Sequence, residues 1–233
     1  MSTGLGNVNI PLSASSKVAP IFNPDNTAAD EGSFFVAQSV VAGVANTGTT
    51  DTLAKTQLNP NLVILNQWSP AGGVNSMNIY LRYIKITVVT VPTGPASFNY
   101  AFWRDNLTAK LTTAGTVLTP SNVNDNGPLS KAYISIGANT TVTGGPNNRQ
   151  TGAGQIVGAI PVALDQWLFT FGDTMSQGAE IGTTTLVSSR TIACAPQVIN
   201  PGWFFLMGTY AASYTTASQF AWEIGYIERP QGQ

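Results

Sequence analysis

The 233-residue chain has no histidine, one cysteine and very few charges, and each shortage excludes something. Without histidine there is no ordinary general base at neutral pH and none of the commonest metal ligand. No Ser-His-Asp arrangement can be drawn, so an enzyme would have to rest on carboxylates. The single cysteine, Cys194, rules out an intrachain disulfide. Its neighbours in "TIACAPQ" are small or apolar, so it reads as a small buried side chain.

Charged residues make up 9% of the chain, against roughly 25% in ordinary soluble domains. Ten basic and eleven acidic side chains leave a formal net charge of -1. The surface must be covered mainly by Thr, Ser, Asn, Gln and Gly. Near zero net charge such a surface is prone to association, which suits a protein buried among neighbours in an assembly or one that lives outside the cell. The basic residues are scattered from Lys17 to Arg229, with Arg82 and Lys85 the closest group. They form no stripe or tail that would follow a phosphate backbone, so direct nucleic-acid binding is not expected. Long apolar runs are also missing, because Gly, Pro, Thr or Asn interrupts each one, and no transmembrane helix is expected. The opening "MSTGLGNVNIPLS" has no basic region ahead of an apolar core, so no secretory signal is expected.

What is present is β patterning. Residues 1–30, with Pro11, Pro20 and Pro24, read as an extended arm. "EGSFFVAQSVVAGVA" (31–45) reads as a β segment followed by the turn "NTGTT". Residues 50–59 suggest a short helical turn stopped by Pro60. "MNIYLRYIKITVVTVP" (77–92) carries the strongest strand signal. Ile79, Leu81, Tyr83 and Lys85 share one face and Tyr80, Arg82, Ile84, Ile86 and Val88 the other, so both faces are largely apolar, as in a long strand covered on both sides in part of its length. After the turn "PTGP", residues 97–111 form a second long strand, with Phe98, Tyr100 and Phe102 opposite Asn99, Ala101 and Trp103. Residues 112–128 read as a loop, 130–138 as a strand that Val142 extends, and 143–154 as an exposed hairpin tip. Further strands follow at 155–164, 166–172, 183–195, 202–213 and 219–229. Eight or nine strands with few helix signals predict an all-β fold, a two-sheet antiparallel β-sandwich with long loops. The domain spans 31–229, with a short polar tail at 230–233.

Candidate sites are sparse. "NVNDNG" (122–127) offers side-chain oxygens but one acid and no dedicated calcium spacing, so no metal and no cofactor is expected. Glu223 and Glu228 are separated by an odd number of residues. In a regular strand they face opposite sides, which disfavours a catalytic carboxylate pair held about 5 or 9 Å apart. With Arg229 they mark a strand end that could face a neighbouring subunit. "GPNNRQTGAG" lacks a P-loop lysine, and Asn147, Asn148 and Arg149 at its centre read as contact-loop residues. Trp68 in "NQWSPAGG" is the best-placed aromatic for a sugar ring, while packing against the sandwich is the plainer reading.

The closing "PGWFFLMGTYAASYTTASQFAWEIGYIERP" resembles the last two strands of jelly-roll capsid (coat) proteins of non-enveloped icosahedral viruses, and "FWRDNLTAKLTTAGTVLTPSNVN" has the texture of bacteriophage structural proteins. The resemblance implies a jelly roll of about eight strands in two four-stranded sheets, a non-enzymatic structural role, residence in the virion, and partners that are copies of the chain and other capsid proteins. Such coat proteins often carry a strongly basic arm, and residues 1–30 depart from that. The departure fits a shell overlying an internal membrane or a minor protein better than one wrapped directly on RNA. The alternative is a carbohydrate- or receptor-binding β-sandwich, such as a spike or fibre head.

Overall fold

The computed structural model describes residues 24–39, 44–46, 58–68, 76–91, 98–106, 110–137, 141–144, 147–157, 161–172, 189–211 and 218–230. The arm before residue 24, the turns expected at 47–50 and 92–95, most of the helical turn expected at 50–59, residues 183–188 and the end of the tail lie outside this set.

The chain opens with α1 (Pro24–Asp30), β1 (Phe34–Gln38), β2 (Val44–Asn46), β3 (Leu62–Asn66), β4 (Met77–Thr90) and β5 (Phe98–Asp105). Short strands follow: β6 (Lys110–Thr113), β7 (Thr116–Leu118), β8 (Ser121–Asn122), β9 (Ala132–Ile136) and β10 (Thr141–Thr143). The second half holds β11 (Arg149–Val157), β12 (Gln166–Phe171), β13 (Ser189–Cys194), β14 (Gln197–Ile199), β15 (Phe204–Ala211) and β16 (Ser218–Pro230).

One sheet has the order β13-β12-β4-β16-β1-β8, with β14 also on β4 and β2 on β16; the other runs β11-β5-β15-β3-β9-β7. Every described pairing is antiparallel except β12 with β13. The two sheets pack face to face in a sandwich-like, all-β arrangement. One apolar cluster joins them, with Ile84, Ile86, Phe169, Trp222 and Ile224 from the first sheet and Ile64, Phe98, Phe102, Phe205 and Met207 from the second. Phe102 lies at its centre, its ring 4.9 to 5.8 Å from those of Tyr100, Phe169, Phe171 and Phe205. Such pairs each add about 0.5–1.5 kcal/mol to simple burial.

The alternation expected along β5 holds. Phe98 and Phe102 enter this core, whereas Ala101 and Trp103 join Val63, Phe204 and Leu206 in a second cluster on the opposite face. The two-stranded β6–β10 sheet contributes Val142 and Leu111 to that cluster. The second sheet is therefore apolar on both faces.

In β4 the two-sided reading is corrected. Tyr83 pairs with Gly225 and Leu81 with Tyr226, so Arg82 is an extra residue on β4. A β-bulge of this kind shifts the phase of the strand by one. Ile79 and Leu81 before the bulge and Ile84, Ile86 and Val88 after it are all buried in the same inter-sheet core. The strand has one apolar face, which changes parity at Arg82.

Other differences are local. Residues 24–30, expected to be extended, form α1. Proline suits a first helical turn, and Gly32, at φ 68°, ends the helix while Ser33 N–H donates to Ala28 O at 2.8 Å. Ala28 is fully buried. The expected loop at 112–128 contains β7 and β8, too short to show a period. Val142 does not extend β9 but lies in β10. The hairpin-tip reading of 143–154 is overturned as well: β10 pairs with β6 and β11 with β5, and Arg149 begins a strand. The last two strands, β15 and β16, belong to different sheets.

Candidate functional site

Two of the candidate residues meet at one end of the sandwich. Glu228, near the end of β16, is 3% exposed. Its carboxylate accepts the indole Nε1–H of Trp68 at 2.9 Å, the hydroxyl of Ser130 at 2.5 Å and the amide of Lys131 at 3.2 Å. Ser130 has one hydroxyl proton and gives it to Glu228, so Tyr226 donates to Ser130 Oγ, 2.6 Å away. Burial foremost, and the nearby Glu228 charge, push the Tyr226 phenol above its ordinary value.

Trp68 is fixed from its other side by Asn66 at the end of β3. Asn66 is fully buried. Its amide donates to Met77 O and Ile199 O, and its Oδ1 accepts the Trp68 amide at 3.0 Å. The Lys131 ammonium covers the Trp68 ring at 4.9 Å. Trp68 is thus a clamped, half-buried side chain, one face of which is taken. The arrangement ties three separate strand ends, those of β3, β9 and β16, through one desolvated carboxylate.

Glu223 lies on the opposite face of β16, as the odd separation requires. Its carboxylate accepts the Tyr83 hydroxyl at 2.8 Å and faces Lys85 at 3.7 Å. Burial, then this hydrogen bond, raise the Tyr83 phenol. Beside them Arg82, projected by the bulge, pairs with Asp25 of α1 at 2.9 Å. Together with Leu168 and Thr170 these residues line a shallow cleft of about 310 Å³ on the outer face of the first sheet. Arg229 faces Glu31 at 3.8 Å. Of the three strand-end candidates, Glu223 and Arg229 reach the surface and Glu228 does not.

Asn147 is exposed and Asn148 half-buried in the turn before β11, and Arg149 is exposed at its first position. Arg149 lies directly across from Arg104 of β5. Burial and the Arg149 charge lower the Arg104 guanidinium to about 10. The loop at 122–127 is held by its own asparagines. Asn122 donates to Gly32 O and Pro128 O, and accepts the Asn124 amide. Among the described residues no group of three or more His, Cys, Asp or Glu is placed to hold a metal, and no helix is long and apolar enough to cross a membrane. Cys194 is half-buried, and its thiol is pushed up to about 11 by burial.

Sequence reasoning missed Asn66, Ser130, Lys131, Tyr226, Arg104 and Trp203. Their partners are remote along the chain, and no local spacing marks them. No family model matches this chain, nor does any curated protein or solved structure.

Proposed function

We propose that the chain is a structural capsid subunit of a non-enveloped icosahedral virion, built on a jelly roll and assembling with copies of itself and with other capsid proteins. The observation that carries this reading is the nesting of the strand pairs. Ten of the described strands have five or more residues, and eight of them, in chain order β1, β3, β4, β5, β11, β12, β15 and β16, form nested pairs, with β9 and β13 added beside them. The first pairs with the eighth, the second with the seventh, the third with the sixth and the fourth with the fifth. A long antiparallel ribbon folded over on itself into two sheets would produce this nesting, as in the eight-stranded double Greek key of viral capsid and lectin domains, and this supports the jelly-roll reading.

Fold alone does not choose among these roles, and the surface favours assembly. Charge is scarce, and Val117, Val123, Leu129, Val162 and Leu164 are exposed, Leu129 at 88%. Apolar side chains displayed on loops and on the edge strand β7 suit contacts with neighbouring subunits. The sugar-binding alternative has less support, because the Trp68 ring is engaged by Lys131 and its N–H by Glu228. The proposed role is non-enzymatic, and bacteriophage is the favoured source. With no basic stripe, the shell would overlie a membrane or a second protein rather than bind nucleic acid directly.

The test is the particle mass of the purified protein, by light scattering after size exclusion, with negative-stain imaging of the same peak. Capsomers or uniform closed shells are expected. A discrete monomer or trimer that never grows under varied salt and calcium would overturn the reading in favour of a binding module.

A further inference from the structure

Arg104 is 8% exposed, and its Nε has no hydrogen-bond partner. It sits on β5 directly opposite Arg149 of β11. Side chains directly opposite each other in an antiparallel pair lie on the same face, and like charges so placed destabilise it. Both guanidiniums converge on Trp203, with Arg104 Cζ 5.9 Å and Arg149 Cζ 5.4 Å from the ring. None of the ion pairs among the described residues involves either arginine. Asp105, next along the strand, projects to the other face by strand alternation.

Two adjacent cations, one of them buried, with no countercharge among the described residues are an unusual arrangement in a chain with so few charges. The tryptophan face attracts the cations but accepts no directed hydrogen bond from the guanidinium forks. Those forks match the paired oxygens of a carboxylate or phosphate.

We infer that Arg104, Arg149 and Trp203 form a binding site for a single oxyanion, a carboxylate or a phosphate group. The site is a point receptor. The remaining basic residues are scattered, and nothing beside it would follow a second phosphate along a polymer. The inference stands apart from the shell reading and holds equally for an isolated subunit.

The test is thermal unfolding of the full chain in sodium chloride, sodium acetate and sodium phosphate at matched ionic strength and pH, together with tryptophan emission. A ligand at ten times its dissociation constant raises the folded-to-unfolded ratio about tenfold. Wild type is expected to gain stability in acetate or phosphate over chloride, with a change in emission that Trp203→Phe removes. Arg149 is exposed, so Arg149→Met should fold. It is expected to lose the anion response and, in chloride, to be more stable than wild type, because the like-charge contact is gone. A response to acetate alone identifies a protein carboxylate as the source, and a response to phosphate alone a phosphate group. Equal behaviour of wild type in all three salts, or an undiminished response in Arg149→Met, would overturn the inference.

Discussion

The carboxylate of Glu228 accepts the indole N–H of Trp68 at 2.9 Å across 160 residues of chain. The same carboxylate takes the Ser130 hydroxyl and the Lys131 amide, and it is almost fully buried. A buried carboxylate so engaged holds its donors in place, and removing it strands them. Leaving buried donors unsatisfied costs about 1–3 kcal/mol each.

Glu228→Ala is therefore expected to lower stability by about 2–4 kcal/mol, read from the urea midpoint. Trp68 emission should shift as its anchor is lost. Glu228→Gln keeps an acceptor oxygen but turns an amide toward donors, and should fall between the two. An alanine variant as stable as wild type would show that the network contributes nothing.

Arg82 separates two roles that one residue performs. Its side chain pairs with Asp25 at a half-exposed position, and exposed pairs contribute about 0–1 kcal/mol. Its backbone is the extra residue that turns Ile79 and Leu81 into the same core as Ile84 and Ile86. Arg82→Ala should leave the urea midpoint nearly unchanged. Deleting Arg82 should leave unfolding cooperative, because it closes the bulge and brings Leu81 and Ile84 into regular alternation on the core face without changing the pairing with β16. If the deletion abolishes cooperative unfolding, Arg82 is not simply an extra residue that the ladder loops out.

How much of this was legible follows from the same residues. The long strands, the faces of β5 and the opposite placement of Glu223 and Glu228 rest on period-two alternation, which acts locally and can be read locally. The change of apolar parity in β4 was present in the sequence. It resembled a strand covered on both sides, because Tyr80 and Tyr83 made both phases look apolar. The glycines of "RQTGAGQIV" argue for a tip, since Gly is depleted in strands, yet Tyr100 and Phe102 across the ladder pack over Gly154 and Gly152. Trp68 and Glu228 each stand out in the sequence, but their meeting depends on the order of β3, β9 and β16. No single stretch of chain carries that order.

Gly225 illustrates such a close approach. It pairs with Tyr83, whose ring lies where a Gly225 side chain would be. Gly225→Ala should push the ring aside, break its hydrogen bond to Glu223 and cost about 1–3 kcal/mol as overpacking. Adding Tyr83→Ala should recover part of the loss, so that the double variant is more stable than the sum of the two single changes predicts. Strict additivity would mean that the ring and the glycine do not compete for the same space.

Alkaline pH should unfold the protein through groups that resist losing their protons. Burial raises the Cys194 thiol from 9.0 to about 11, and burial likewise raises the phenols of Tyr83, Tyr100 and Tyr226 above 10.0. In each case the folded state keeps a proton that the unfolded chain gives up. The stabilisation is complete below the unfolded values and is lost as pH climbs through the folded ones. The Cys194 part goes between pH 9.0 and about 11, and the tyrosine part starts at 10.0. Arg104 opposes this, since its lowered value makes the fold more stable as pH rises above about 10, but it is one group against four. The urea midpoint should therefore fall between about pH 8 and about pH 10.5, and Cys194→Ala should flatten the first part of the decline. A midpoint constant over that range would show that these groups titrate alike in the folded and unfolded chain.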